Sequence, residues 1–213
     1  MPMAPATALA SLKNNPAAFL KVYPIRIFGG TRASGVRPFA IENRGDSMRP
    51  GSILGTKNFH QTESFNIRLL NSNMAGPGAH TFNAHSVRMD VGESAMTTYQ
   101  LDNTGPDIMV TGQLSGCSFI ISSNGNNTDV AHVKPSGSTG AELATALSTS
   151  NPNSFVYGAT AGHGFYDSDD RTVSVIGIRQ NGNWEIYAQK QDANSGDYRI
   201  HSVYQIYPNH VKM

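Results

Sequence analysis

The chain reads as an α+β fold: a central antiparallel β-sandwich of two mixed or antiparallel sheets, flanked by short helices and long loops. Three observations point there. The C-terminal third carries three successive alternating segments separated by turn residues, the pattern of antiparallel strands rather than of a parallel α/β core. The 213 residues include 21 Gly and 11 Pro, with many Asn and Ser, a composition of frequent turns between short strands. Helical patterning is confined to the N-terminus and to one segment near residue 140.

In chain order, Ala6–Leu12 is rich in helix formers, and Asn15-Pro16 places an N-cap residue before a proline at the first helical position. Residues 1–22 are therefore expected as an N-terminal helical arm of a single domain spanning 1–213. Val22–Phe28 alternates as a strand up to Gly29-Gly30. From Thr31 to Ser52, Arg32, Arg37, Arg44 and Arg49 stand among turn residues with Glu42 and Asp46, and the mixed signs predict a solvated loop with surface ion pairs. Ile53–Thr56, Ser64–Leu70 and Ser86–Val91 read as strands, with a loop over Asn71–Asn83 enforced by Gly76-Pro77-Gly78. His80 and His85 in this region lack a third ligand at suitable spacing and read as loop histidines rather than a zinc pair.

Met96–Leu101 and Ile108–Gln113 lead to the single cysteine, in Leu114-Ser115-Gly116-Cys117. Glycine before it suggests a tight turn that presents the thiol at the start of the strand Ser118–Ser122, facing a cleft. Ser123–Thr128 is turn-rich and Asp129–Lys134 is a second strand, so the two form a hairpin. Cys117 and His132 then fall near its open end, where an imidazole can take the thiol proton. An unpaired cysteine is also a common inert core residue, and both readings stand on residue type alone. Thr139–Glu142 is a capping box opening a helix to about Ser148, with Leu143 and Leu147 toward the sheet. Asn151–Asp170 is expected as loop, with His163 the rival to His132 as base and Asp167–Asp170 a solvated acidic run. Thr172–Ile178, the turn Asn181-Gly182, Asn183–Gln189, the turn Asn194–Asp197 and Tyr198–Ile206 complete the three strands, with Trp184, Ile186 and Ala188 on one face.

Composition removes several classes. Net charge is +1 and charged residues are 15%, so neither a nucleic-acid surface nor a polybasic membrane patch is indicated. No run approaches the roughly 18 apolar residues that cross a bilayer, so membrane insertion is not expected. One cysteine forms no internal disulfide, leaving the thiol usable in a reducing cytosol. No basic stretch precedes the N-terminal apolar residues, so no classical signal peptide is read. No cofactor and no metal is implied, and a monomer is expected.

The segment Thr111–Lys134 resembles the catalytic signature of the toxin glutamine deamidases that include the cytotoxic necrotizing factors and the Burkholderia lethal factor. The resemblance implies Cys117 as nucleophile and His132 as its partner, with Ser118 a departure from the threonine of the necrotizing factors. It also implies a third group orienting the imidazole, a backbone carbonyl in the former proteins and a threonine six positions before the cysteine in the latter, which matches Thr111. Backbone N–H groups of the turn at Ser115 and Gly116 would stabilise an oxyanion. The implied activity is deamidation of a specific glutamine in a host protein, of a GTPase or translation-factor class, by a bacterial protein secreted or injected into the host cytoplasm. Three alternatives remain: transglutaminase chemistry at the same glutamine, a noncatalytic β-rich binding module with a buried cysteine, and a cysteine peptidase.

Overall fold

The structure is a computed structural model that describes residues 1–29, 33–53, 56–70, 75–125, 127–159, 171–192 and 199–213. His163, Asp167–Asp170, Arg32 and the turn Asn194–Asp197 lie outside the described residues. The N-terminus forms α1 (Pro5–Asn14) and α2 (Pro16–Val22). Asn15 caps α2 as expected, its side chain accepting from the Ala18 N–H at 3.1 Å.

Nine strands make one sheet: β1 (Ile25–Phe28), β2 (Gly35–Ile53), β3 (Thr56–Leu69), β4 (His80–Val87), β7 (Ile108–Thr111), β11 (Arg171–Gln180), β12 (Asn183–Asp192), β13 (Ile200–Tyr207) and β14 (Val211–Lys212), in the order β1-β3-β2-β4-β7-β11-β12-β13-β14. A smaller sheet has the order β10-β8-β9-β5, from β5 (Met89–Val91), β8 (Ser118–Asn124), β9 (Asn127–Lys134) and β10 (Phe155–Tyr157). β6 (Tyr99–Leu101) pairs with β9 as well. Both sheets are mixed: β1/β3, β4/β7 and β5/β9 are parallel.

Alternation along the strands builds four layers. α1 and α2 cover the outer face of the large sheet, where Leu12, Phe19 and Leu20 are buried with Ile25, Ile67 and Ile176. Between the sheets lie Met109, Phe119, Val130, Val175, Trp184 and Ile186. α3 (Gly140–Ser150) lies on the outer face of the small sheet, where Leu143 and Leu147 are buried with Ile120, Ala131 and Val133. The expected capping box is formed, with Thr139 Oγ1 accepting from the Glu142 N–H at 3.2 Å and Glu142 Oε2 accepting from the Thr139 N–H at 2.7 Å. Asn181 (φ 51) and Gly182 (φ 81) make the tight β11–β12 turn in the left-handed conformation that the Asn-Gly pair favours.

Four features differ from the sequence reading. Residues 35–53 are strand β2, not a solvated loop, because β4 pairs with its backbone over Gly35–Ile41 and β3 over Phe39–Ile53. That pairing satisfies the peptide groups of a segment whose side chains give little strand signal. β4 begins at His80, so both histidines lie on a strand. The expected strand Ser86–Val91 is split at Arg88, where the chain leaves the large sheet for the small one. β10 occupies part of the expected loop after Asn151.

Candidate functional site

Two chain crossings build the site. β4 and β7 are parallel neighbours, with Val87 opposite Thr111 at their shared ends. Each then crosses to the small sheet, β4 through Arg88 into β5 and β7 through residues 112–117 into β8. Leu114 pins the second crossing to β11, its N–H and carbonyl both bonded to Val173 at 2.9 Å. Gly116 then turns with φ 81, in the left-handed region that favours glycine. Its carbonyl packs against α3: a Cβ on Gly140 would stand 2.6 Å from Gly116 O. This close approach fixes the height of the turn that carries Cys117.

β8 and β9 form the expected hairpin, with Phe119 opposite His132 and Ser118 opposite Val133. Cys117, one residue before β8, is therefore diagonal to His132 on the face toward the large sheet. In an antiparallel pair such diagonal neighbours are about 7–8 Å apart along the backbone, within reach of longer side chains.

Thr111 and His132 meet directly. Thr111 Oγ1 donates to Val87 O at 2.9 Å and lies 2.7 Å from His132 Nδ1. A carbonyl only accepts, so the single hydroxyl proton goes to Val87 and the oxygen accepts from Nδ1–H. The proton of the neutral ring is thereby held on Nδ1, and Nε2 carries a lone pair. That atom is buried and has no hydrogen-bond partner among the described residues. His132 is 0% exposed, and burial pushes its pKa down to about 4 against a weaker opposing effect of Asp90, leaving the ring neutral at pH 7. Asp90 is itself buried and held by Arg88 Nε at 2.6 Å and by the Thr97 N–H at 2.7 Å.

Cys117 is 5% exposed. The expectation of a solvent-facing sulfur is corrected here: Sγ lies 3.8 Å from the Met89 sulfur, on a strand the sequence does not separate from β4. Burial raises the thiol pKa, with hydrogen bonding at the Ser115 backbone and the Lys134 charge pulling the other way. Ser115 is exposed and Gly116 buried at the turn.

Val87, Met89 and Lys134 are the residues of this region that sequence reasoning missed as site components. Lys134 had a usable signal, since two positions beyond His132 on a strand is the same face. Val87 contributes only a carbonyl and Met89 only a position, and neither has a residue-type signature. Of the two histidines considered as a zinc pair, His80 is exposed, whereas His85 is buried with Nδ1 2.8 Å from the Tyr99 hydroxyl and its ring edge-on to Trp184. Among the described residues no three His, Cys, Asp or Glu side chains gather as metal ligands, and no helix is long and apolar enough to cross a membrane.

In structure the chain is similar to the crystal structure of the C-terminal domain of CNFy from Yersinia pseudotuberculosis, at 12% identity and a TM-score of 0.43, over 99% of this chain and 100% of that one. No protein-family model matches the sequence, and no curated protein matches it. The candidate site accordingly rests on the chemistry of this chain's own residues.

Proposed function

We propose that the chain is a bacterial toxin or effector domain that converts a glutamine of a host protein to glutamate, with Cys117 as nucleophile and His132 as base. The observation that carries this is the Thr111–His132 bond, which leaves a buried Nε2 lone pair, without a partner among the described residues, on the face that bears Cys117. A buried imidazole nitrogen without a partner costs stability unless a proton-bearing group approaches it in the working state. The resemblance of Leu114–Cys117, His132 and Thr111 to the deamidase signature supplies the reaction class.

In this reading Nε2 takes the Cys117 proton as the sulfur attacks the side-chain carboxamide carbon, rather than a preformed thiolate–imidazolium pair doing so. The carbonyl oxygen becomes an oxyanion facing the N–H groups of the Ser115–Cys117 turn. Nε2–H then protonates the departing nitrogen, ammonia leaves and a thioester remains. Water gives a proton to Nε2 as it adds to the thioester, and collapse releases glutamate and returns the thiol. The substrate gains one negative charge, and the reaction requires no cofactor. The setting is the cytoplasm of a host cell after export.

The test incubates the protein with host cytosolic extract and reads glutamine-to-glutamate conversion by mass spectrometry. Wild type is expected to convert one or a few specific glutamines, and Cys117→Ser none. Full activity in the serine variant excludes the mechanism, and incorporation of a labelled primary amine in place of water reassigns it as a transglutaminase. The burial of Cys117 favours one second reading, a noncatalytic module with an inert core thiol. On that reading, native Cys117 resists iodoacetamide whatever stands at position 89.

A further inference from the structure

β5 borders β9 on the side away from β8, with Met89 in parallel register with His132. Its burial pattern is exposed, buried, exposed, so Met89 and Val91 share the face of His132 while Asp90 points to the other. Met89 Sδ lies 3.8 Å from Cys117 Sγ. The exposures of the two sulfur residues are inverted: Met89 is 38% exposed and Cys117 5%. The more exposed Met89, on the terminal strand of the small sheet, thus borders the thiol. The apolar residues grouped with Cys117 on the protein side, among them Leu114 and Phe119, are fully buried parts of the frame.

A carboxamide cannot reach Sγ from the Met89 side while the thioether is in contact with it. Methionine is unbranched and turns about three side-chain bonds, so it can swing aside without moving the strand. Val91, 50% exposed and two residues on, extends the apolar strip along the same face.

We propose that Met89 is the gate and a specificity-determining residue of the site: its thioether covers Cys117 until a glutamine-bearing segment packs on Met89 and Val91 and displaces it. This rests on the reading of Cys117 as nucleophile, and it deepens that reading by naming what the substrate must do on arrival. The glutamine is delivered on a protein surface with apolar flanking residues, whose burial on the strip offsets the cost of opening. The displaced side chain then walls the glutamine's methylenes.

The experiment is native-state alkylation of Cys117 by iodoacetamide, itself a small carboxamide, followed by intact mass. Met89→Ala and Met89→Thr, the second a short residue suited to a strand, are each expected to react about tenfold faster than wild type, because access limits the thiol. Met89→Leu keeps the cover and stays within about twofold of wild type. Cys117→Ser takes no label, and circular dichroism reports that each variant is folded. Wild-type rates in both short variants overturn the gate. The two readings separate cleanly. If the short variants react faster but no protein glutamine is converted, Met89 is a cover over the thiol, and both the deamidase reading and the role of that cover as a glutamine gate fall. If conversion requires Cys117 but alkylation ignores residue 89, the gate falls alone.

Discussion

At the scale of single residues, His132 is the group whose state decides the proposed chemistry. Thr111 holds its proton on Nδ1, and removing that hydroxyl leaves Nδ1–H buried without its acceptor. The loss of such a bond costs about 1–3 kcal/mol, so Thr111→Ala is expected to lower kcat/KM by about tenfold to a hundredfold. On the proposed mechanism His132→Ala and Cys117→Ser remove reacting groups and are expected to cost about three orders of magnitude or more in activity, the scale of triad-type members. The same ring makes stability depend on pH. An unfolded histidine takes its proton near 6.5, whereas His132 in the fold resists protonation down to about 4. Its contribution is therefore whole above pH 6.5 and is lost as pH falls from 6.5 toward 4, on the order of 3 kcal/mol in all. Urea unfolding at pH 7 and pH 4.5 should show that loss in wild type and a smaller one in His132→Gln. Of the candidate site, Cys117 and His132 were legible as residue types on one hairpin and Thr111 only through the resemblance; the contact of Thr111 with His132 is the part the structure displays. The cover over the sulfur was not legible, because Met89 acts through where β5 lies.

At the scale of elements, legibility followed how much of the local signal came from side chains. β11 and β12 combine alternation with an Asn-Gly turn, and α3 carries its own capping box, so each could be read in place. β2 could not, since its buried apolar residues Phe39, Ala40 and Ile41 are consecutive and two neighbouring strands pair its backbone. The split at Arg88 is a change of sheet within a continuous extended run, which periodicity does not mark. The element that most constrains the site is α3, through Gly140 against the Gly116 carbonyl at a built Cβ distance of 2.6 Å. Gly140→Ala must push the Cys117 turn away or open α3 from the sheet. It is expected to cost about 1–3 kcal/mol of stability and to reduce activity more than Thr139→Ala, which loses the cap for about 1 kcal/mol but leaves the turn's seat intact. Thermal melts paired with activity assays of the two variants check this ordering.

At the scale of the whole molecule, the four layers separate support from chemistry. Phe19 sits in the layer between the helices and the large sheet, away from the inter-sheet space that holds Cys117. Phe19→Ala should destabilise by about 3–5 kcal/mol in urea unfolding while leaving kcat per folded molecule near wild type. The site itself exists only where the two sheets meet: Thr111 and Val87 come from the large one, and Cys117, His132 and Met89 belong to the small one or to the turn that enters it. The sandwich class was readable from turn density and strand spacing, but which strand ends converge depends on two parallel strands crossing side by side. The most direct measurement is an acid-quenched incubation with a converted host protein, analysed for an acyl adduct on the peptide bearing Cys117. A hydroxylamine-labile thioester on that sulfur, present in wild type and absent in Cys117→Ser, is the expected result. Glutamate formation with no such adduct, undiminished in the serine variant, would contradict the account.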